Sequence, residues 1–424
     1  MKLLFKNIKI VSPSDKLNKR ADIYIENGVL KEIGKVNKKD VETIDGKNLT
    51  CVPGLFDMHV HFREPGQTHK ENIETGCESA MNGGFTGVTM MPNTNPAIDD
   101  SKLIKELLSK NKTSLVDITT TACITKNREG HKLTDIKSLH KAGAVAFTDD
   151  GSPVANPLLV RRSMEEISDV GSLFVQHAED MILSDGGAMN EGKVSKKMKI
   201  KGIPSISETT IVARDLEISR FVKGSRYHLQ HVSCADSVDL INNAKADGFP
   251  ATVEVCPHHF VLTEDAVLKE GTNAKMNPPL RTKKDVDRIL KGLKEGIIDV
   301  ICTDHAPHSE KEKKESFQKA PFGIIGLETA VGLTYTYLVE KGIISFEEMI
   351  QKMAVNPRKI LKLKEVKIKK GEKANLTILD TNAKWIVDKS LFKSKSKNTP
   401  FDGYKLKCKP FAVINKDMIH FCNL

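Results

Sequence analysis

Pro53-Gly54-Leu55-Phe56-Asp57-Met58-His59-Val60-His61 is the stretch on which the fold turns. Leu55–His61 is a short apolar run ending in histidines spaced i, i+2, and in a strand such residues point to one face. Seven comparable runs follow: Gly87–Met91, Ser114–Cys123, Ala144–Thr148, Leu173–His177, Tyr227–His231, Ala251–Cys256 and Asp299–Thr303. Helical patterns separate them, among them Ser101–Lys110, Leu133–Lys141, Leu158–Ser168, Ser207–Lys223, Asp236–Asp247 and Asp285–Glu295. Eight β-α pairs over about 300 residues predict an α/β fold, a (β/α)8 TIM barrel with insertions. A doubly wound open sheet is the alternative. It gathers ligands at one switch point, whereas polar residues here end many different strands.

The flanks read differently. Leu3–Val11, Asp22–Glu26 and Val29–Ile33 are short strands, the last two joined by an Asn27-Gly28 hairpin turn. Asn375–Leu379, Trp385–Val387, Tyr404–Lys407, Ala412–Ile414 and Met418–Phe421 look alike at the other end. Residues 1–52 and 363–424 are therefore expected to form one small composite β-sandwich around a barrel of residues 53–362.

Composition narrows the class. With 39% apolar and 28% charged residues the chain is globular rather than disordered. Lys2, Lys6 and Lys9 break up the N-terminus, so no signal-peptide core forms, and no apolar run approaches the ~18 residues of a membrane span. Eight cysteines stand singly with no C-x-x-C pair, which argues against a disulfide framework and a structural cysteine-type zinc site and for the cytoplasm. The net charge of +10 leaves nucleic acid, a membrane surface or an acidic substrate open. Only 11 of the 65 cations are arginine, and Trp and Tyr total six, so no aromatic-interleaved basic stripe supports nucleic-acid binding.

The predicted strand ends carry the chemistry. The first ends in His59 and His61, the fourth in Asp149-Asp150-Gly151, the fifth in His177, the sixth in His231 and the eighth in Asp304-His305. A barrel's reactive face is the C-terminal end of its strands, so these side chains converge. A half-exposed strand pair would explain H-x-H alone, but not acids and histidines arriving from five strands. Four histidines and two carboxylates exceed what one tetrahedral zinc needs and fit two zinc ions about 3.5–4 Å apart. His258 and His259 end the seventh strand outside that set and read as strand-end packing or hydrogen bonding, and His305 reads as structural support. Glu310–Lys319, with Lys311, Lys313 and Lys314, reads as solvated charge or a loop over the site.

Pro53-Gly-Leu-Phe-Asp-Met-His59-Val-His61-Phe-Arg63-Glu-Pro-Gly66 and Gly83-Gly-Phe-Thr-Gly-Val-Thr-Met-Met-Pro-Asn93-Thr-Asn-Pro96 resemble the dihydroorotases of the amidohydrolase superfamily. So do Asn277-Pro-Pro-Leu-Arg281, Asp304-His-Ala-Pro-His308, Pro321-Phe-Gly-Ile-Ile-Gly326 and Ser394-Lys-Ser-Lys-Asn-Thr-Pro-Phe-Asp-Gly403. The resemblance spans the chain. It implies reversible cyclisation of N-carbamoyl-L-aspartate to L-dihydroorotate, the third step of pyrimidine synthesis. It also implies His59 and His61 on one zinc, His177 and His231 on the other, Asp150 bridging, and Asp304 as first-zinc ligand and general acid/base. Strand alternation does not separate Asp150 from Asp149; the family's acid immediately before Gly selects Asp150. No carboxylated lysine, common in the superfamily, stands at this strand end.

The resemblance further places Arg63 on the substrate carboxylate, with Asn93, Asn277, His308 and the backbone of Phe322 and Gly323 completing its site. A guanidinium grips a carboxylate bidentately, which suits a dianionic substrate. The implied mechanism is attack by a zinc-held hydroxide on the ring amide, with Asp304 passing the proton to the departing nitrogen. Rival readings are a related cyclic amidohydrolase, such as allantoinase or dihydropyrimidinase, and a non-catalytic scaffold for aspartate transcarbamoylase. The rival enzymes normally carry the carboxylated lysine, and the scaffolds lose metal ligands that are all present here. A homodimer and association with aspartate transcarbamoylase are family expectations.

Overall fold

A computed structural model describes residues 1–423. Eight parallel strands form the central sheet: β6 (Leu55–Val60), β7 (Phe85–Met90), β8 (Asp117–Ala122), β9 (Ala144–Phe147), β10 (Phe174–Gln176), β13 (Tyr227–Leu229), β14 (Thr252–Val255) and β15 (Val300–Ile301). They pair in chain order, and a parallel bridge between Val60 and His305, with His61 N donating to His305 O at 2.8 Å, joins last to first. This is the expected barrel. β6 and β7 are buried throughout, as parallel strands covered on both faces must be.

The helices pack their apolar stripes on the outside of the strands. Ile104 and Leu107 of helix Ser101–Ser109, and Val160, Met164 and Ile167 of helix Pro157–Asp169, join strand residues Val88, Ile118 and Phe147 in one core. Inside the barrel, Phe56, Met58, Val175, Val300 and Cys302 form a separate apolar plug. A full interior leaves only the strand ends for a ligand.

The chain ends build a second, eight-stranded sheet from β1 (Lys2–Ser12), β2 (Leu17–Glu26), β3 (Val29–Gly34), β4 (Glu42–Asp45), β5 (Leu49–Pro53), β16 (Leu376–Ile386), β17 (Lys405–Asn415) and β18 (Met418–Phe421). β5 joins the halves, parallel to β1 and antiparallel to β16. Asn27 and Gly28 both take positive φ, 51° and 68°, as a tight two-residue hairpin turn requires. The sheet curls so that β3 bridges to Lys373 and Gly28 comes beside Asp417. Leu3, Phe5, Ile23, Leu376 and Ile414 meet inside the curl. The sandwich-like core is thus enclosed by one continuous sheet. The runs expected as separate strands at 375–387 and 404–414 are each one long strand, because register shifts let β16 and β17 bend without breaking.

A small parallel pair, β11 (Met189–Asn190) and β12 (Gly202–Ile203), lies in the insertion between β10 and β13. Arg281 fastens it, donating to Asn190 Oδ1 and Ile203 O at 3.0 and 2.7 Å. All eight cysteines are free, seven of them buried. Among the described residues no helix is long and apolar enough to cross a membrane.

Candidate metal centre and active site

The six expected ligands meet at one point. His59 lies within β6, His61 and His177 just past β6 and β10, and His231 and Asp304 two and three residues past their strands. The last two take positive φ, 27° and 48°, as does Arg63 at 58°. Such conformations are costly for non-glycine residues and concentrate where a side chain must be aimed.

Asp150 sits at the middle. Its carboxylate lies 3.5 Å from His59 Nε2, 3.6 Å from His61 Nε2, 3.9 Å from His177 Nδ1 and 3.8 Å from His231 Nε2. Asp304 Oδ1 closes one side, 2.9 Å from His61 Nε2 and 3.5 Å from His59 Nε2. Asp149 turns away and accepts from Ile124 N, Thr125 N and the Thr125 hydroxyl. Its role is to hold the β8 loop, which leaves the central position to Asp150.

The donor set fits a metal. His59 Nε2 is buried with no hydrogen-bond partner, and His177 Nδ1 faces His231 Nε2 at 2.9 Å. Nitrogens crowded in this way are satisfied by a shared cation. Two groupings, His59–His61–Asp304 and His59–Asp150–His231, place one donor atom per residue within 4.8 Å of one another. The electrostatics agree in sign. Burial opposes charge on His59, but Glu254, Asp304 and Asp150 outweigh it and raise the imidazole to about 10, so positive charge is favoured there. Burial likewise opposes charge on Asp150, yet the surrounding imidazoles hold its carboxyl well below the usual range.

Three supporting residues were not expected from the sequence. Glu254, within β14, meets His59 Nδ1 at 2.6 Å and His231 N at 3.3 Å. Glu179 accepts from His177 Nε2 at 3.2 Å and from Asn277 Nδ2 at 2.6 Å. Both fix their histidines' tautomers so that the other ring nitrogen points inward. The third, Lys313, is buried rather than solvated, donating to Pro321 O and Gly323 O at 3.1 and 3.0 Å. The signal for Glu254 was present in Val253-Glu254-Val255, an acid in the middle of a buried strand.

Above the ligands lies a cavity of about 180 Å³ lined by His61, Arg63, Asn93, Asp150, Gly151, His177, His231, Asn277, Asp304, Ala306, His308, Phe322 and Gly323. Every expected site residue is in this lining except His59, which lies beneath it. Asn93 also reaches two ligands, accepting from His61 Nδ1 at 2.8 Å and donating to Asp150 Oδ2 at 3.1 Å. Gly323 N donates to Lys275 O at 3.0 Å, so Gly323 forms wall, while Phe322 O meets His308 Nε2 at 2.8 Å. Among the described residues no lysine lines the cavity.

Arg63 is 8% exposed and has no carboxylate within 4 Å among the described residues; it donates to Pro307 O at 3.1 Å, and its Nη2 lies 3.2 Å from His308 Nε2. Burial lowers its guanidinium to about 10, which leaves it charged at neutral pH. A buried, unpaired cation at a cavity wall calls for an anion. Burial, reinforced by Arg63 beside it, keeps His308 neutral.

Residues 48–237 match the family model described as Dihydro-orotase-like. The chain is 44% identical over 408 residues to a protein of Acetivibrio thermocellus named Dihydroorotase, covering 95% of each chain. It is 44% identical over 426 residues to another so named from Carboxydothermus hydrogenoformans, covering 100% of this chain and 99% of that one. Among solved structures it is similar to the L-hydantoinase (dihydropyrimidinase) of Arthrobacter aurescens, with TM-score 0.87, 26% identity and coverage of 99% and 96%. The dihydropyrimidinase of Brevibacillus agri shares the fold, with TM-score 0.86 and 21% identity.

Proposed function

Because the chain belongs to the dihydroorotase family, we propose that its six gathered side chains hold two zinc ions and that the cavity above them takes N-carbamoyl-L-aspartate or L-dihydroorotate. The chain is a cyclic amidohydrolase whose reaction interconverts these two molecules in pyrimidine synthesis. His59 and His61 serve one ion, His177 and His231 the other, Asp150 both, and Asp304 the first. When bound, the metal pair supplies Lewis acidity and makes water a competent nucleophile near neutral pH.

The chain's own residues do the rest. Arg63 takes the substrate carboxylate, with His308 and Asn277 beside it in the cavity wall. Asp304, at the cavity floor, accepts the proton of the attacking water and delivers it to the ring nitrogen as the amide bond breaks. In synthesis the same carboxyl returns that proton. Ring closure turns a dianion into a monoanion and consumes a proton, so low pH favours the ring.

The observation that supports this reading most is the unpaired guanidinium of Arg63 facing the ligand cluster across one cavity. Cyclisation of carbamoyl aspartate, followed by ring absorbance with metal analysis on the same sample, tests it. Turnover with zinc present is expected; no turnover with both sites filled overturns it. Eight unpaired cysteines fit a reducing compartment, the cytoplasm. Two further family expectations, a homodimer and association with aspartate transcarbamoylase, are tested by sedimentation alone and with that enzyme.

A further inference from the structure

A second group of metal-type donors lies outside the six. Cys256, His258 and His259 follow β14, are all buried, and place one ligand-type atom each within 4.8 Å of one another. The local chain explains the grouping. Cys256 is extended (φ −98°, ψ 149°) as the N-cap of the short helix Pro257–Val261, so two consecutive histidines leave its first turn next to the sulfur. C-x-H-H contains no cysteine pair, which is why cysteine spacing alone passes over it.

Two atoms of this group need a partner. Nε2 of His258 and Nδ1 of His259 are buried with no hydrogen bond. His259 Nε2 meets Pro278 O at 3.0 Å, which places the ring proton there and leaves the Nδ1 lone pair free. A carbonyl behind one ring nitrogen and a bare lone pair at the other is how a metal-bound histidine is oriented. Burial lowers both imidazoles, His259 to about 4, so both are neutral donors at physiological pH. None of the three residues lines the substrate cavity. A second thiol, Cys302, stands with its Sγ 3.7 Å from Cys256 Sγ.

We propose that Cys256, His258 and His259 form a third metal site, separate from the paired centre, that takes a zinc-class divalent cation. Binding converts the Cys256 thiol to a thiolate and releases its proton to solvent, with no change of oxidation state. The inference does not depend on the reaction assigned to the paired centre.

Cobalt(II) is the probe. The six side chains of the paired centre offer only nitrogen and oxygen, so a thiolate-to-cobalt charge-transfer band in the near ultraviolet reports a cysteine ligand, and its loss in Cys256→Thr distinguishes this site from Cys302 beside His59 and Glu254. The full-length chain, stripped with chelator and kept reduced, is titrated with Co²⁺. Three equivalents with the band are expected for the parent chain, and two without it for Cys256→Thr. His259→Gln, a second route should Cys256→Thr fail to fold, is expected to weaken binding of the third equivalent and its band while two equivalents bind as before. Saturation at two equivalents with no band, or a band that survives Cys256→Thr, overturns the proposal.

Discussion

Glu254 Oε1 lies 2.6 Å from Nδ1 of His59, and the same ring's Nε2 faces Asp150 and Asp304 at 3.5 Å. The carboxylate fixes the tautomer and makes the ring a stronger ligand. Glu254→Gln keeps the volume and removes the charge. It is expected to weaken metal affinity about 10–100-fold, as read by chelator competition. Unaltered affinity would show that Glu254 merely packs.

In the proposed mechanism Asp304 moves the proton. Asp304→Asn should lower turnover by at least roughly 10²–10⁴-fold, the scale of general acid–base catalysis, while most of the metal stays bound. Near-normal activity in a metal-replete variant would remove the role.

Arg63→Lys keeps the charge but loses the planar fork. Hydrogen bonds to charged groups contribute about 1.5–3 kcal/mol, so KM for carbamoyl aspartate should rise roughly 10- to 100-fold, with kcat changing less. A fall in kcat at constant KM would place Arg63 in the chemistry rather than in binding.

Lys313 links pH to stability. Burial, helped by Lys275, lowers its amine from 10.5 to about 7. Between those values the unfolded chain holds a proton that the folded chain lacks, so this group's contribution to stability rises with pH and is flat below about 7. Relative to Lys313→Met, the parent should gain at most about 1.4 kcal/mol per pH unit in that window. Denaturant unfolding from pH 6 to 10 measures it; a pH-independent difference between the two chains contradicts the shift.

The barrel was legible because each buried strand is a short apolar run, and all eight runs coincide with strands to within a few residues. The clustering of the strand-end histidines and acids was legible because such residues at so many strand ends have few other uses. Glu179 and Glu254 were not, because their function lies in a contact across the fold rather than in a local pattern. Lys313 was misread for a related reason. In a run such as Lys311–Lys314 one buried amine looks like its exposed neighbours until carbonyls from a distant loop surround it. The long bent strands β16 and β17 look like pairs of short ones, since bulge and turn residues share a composition.

Asn398 belongs to the last thirty residues of the chain, yet it fastens the walls of the active site. It accepts from His308 N at 3.1 Å and donates to Ala306 O and Gly323 O, each at 3.1 Å. Ser394 and Lys395 likewise reach Glu71, close behind His59 and His61 in sequence. During synthesis the barrel strands emerge long before this clamp. A chain that stops short of Asn398 therefore lacks the part that sets His308 and the Ala306–Gly323 wall in place.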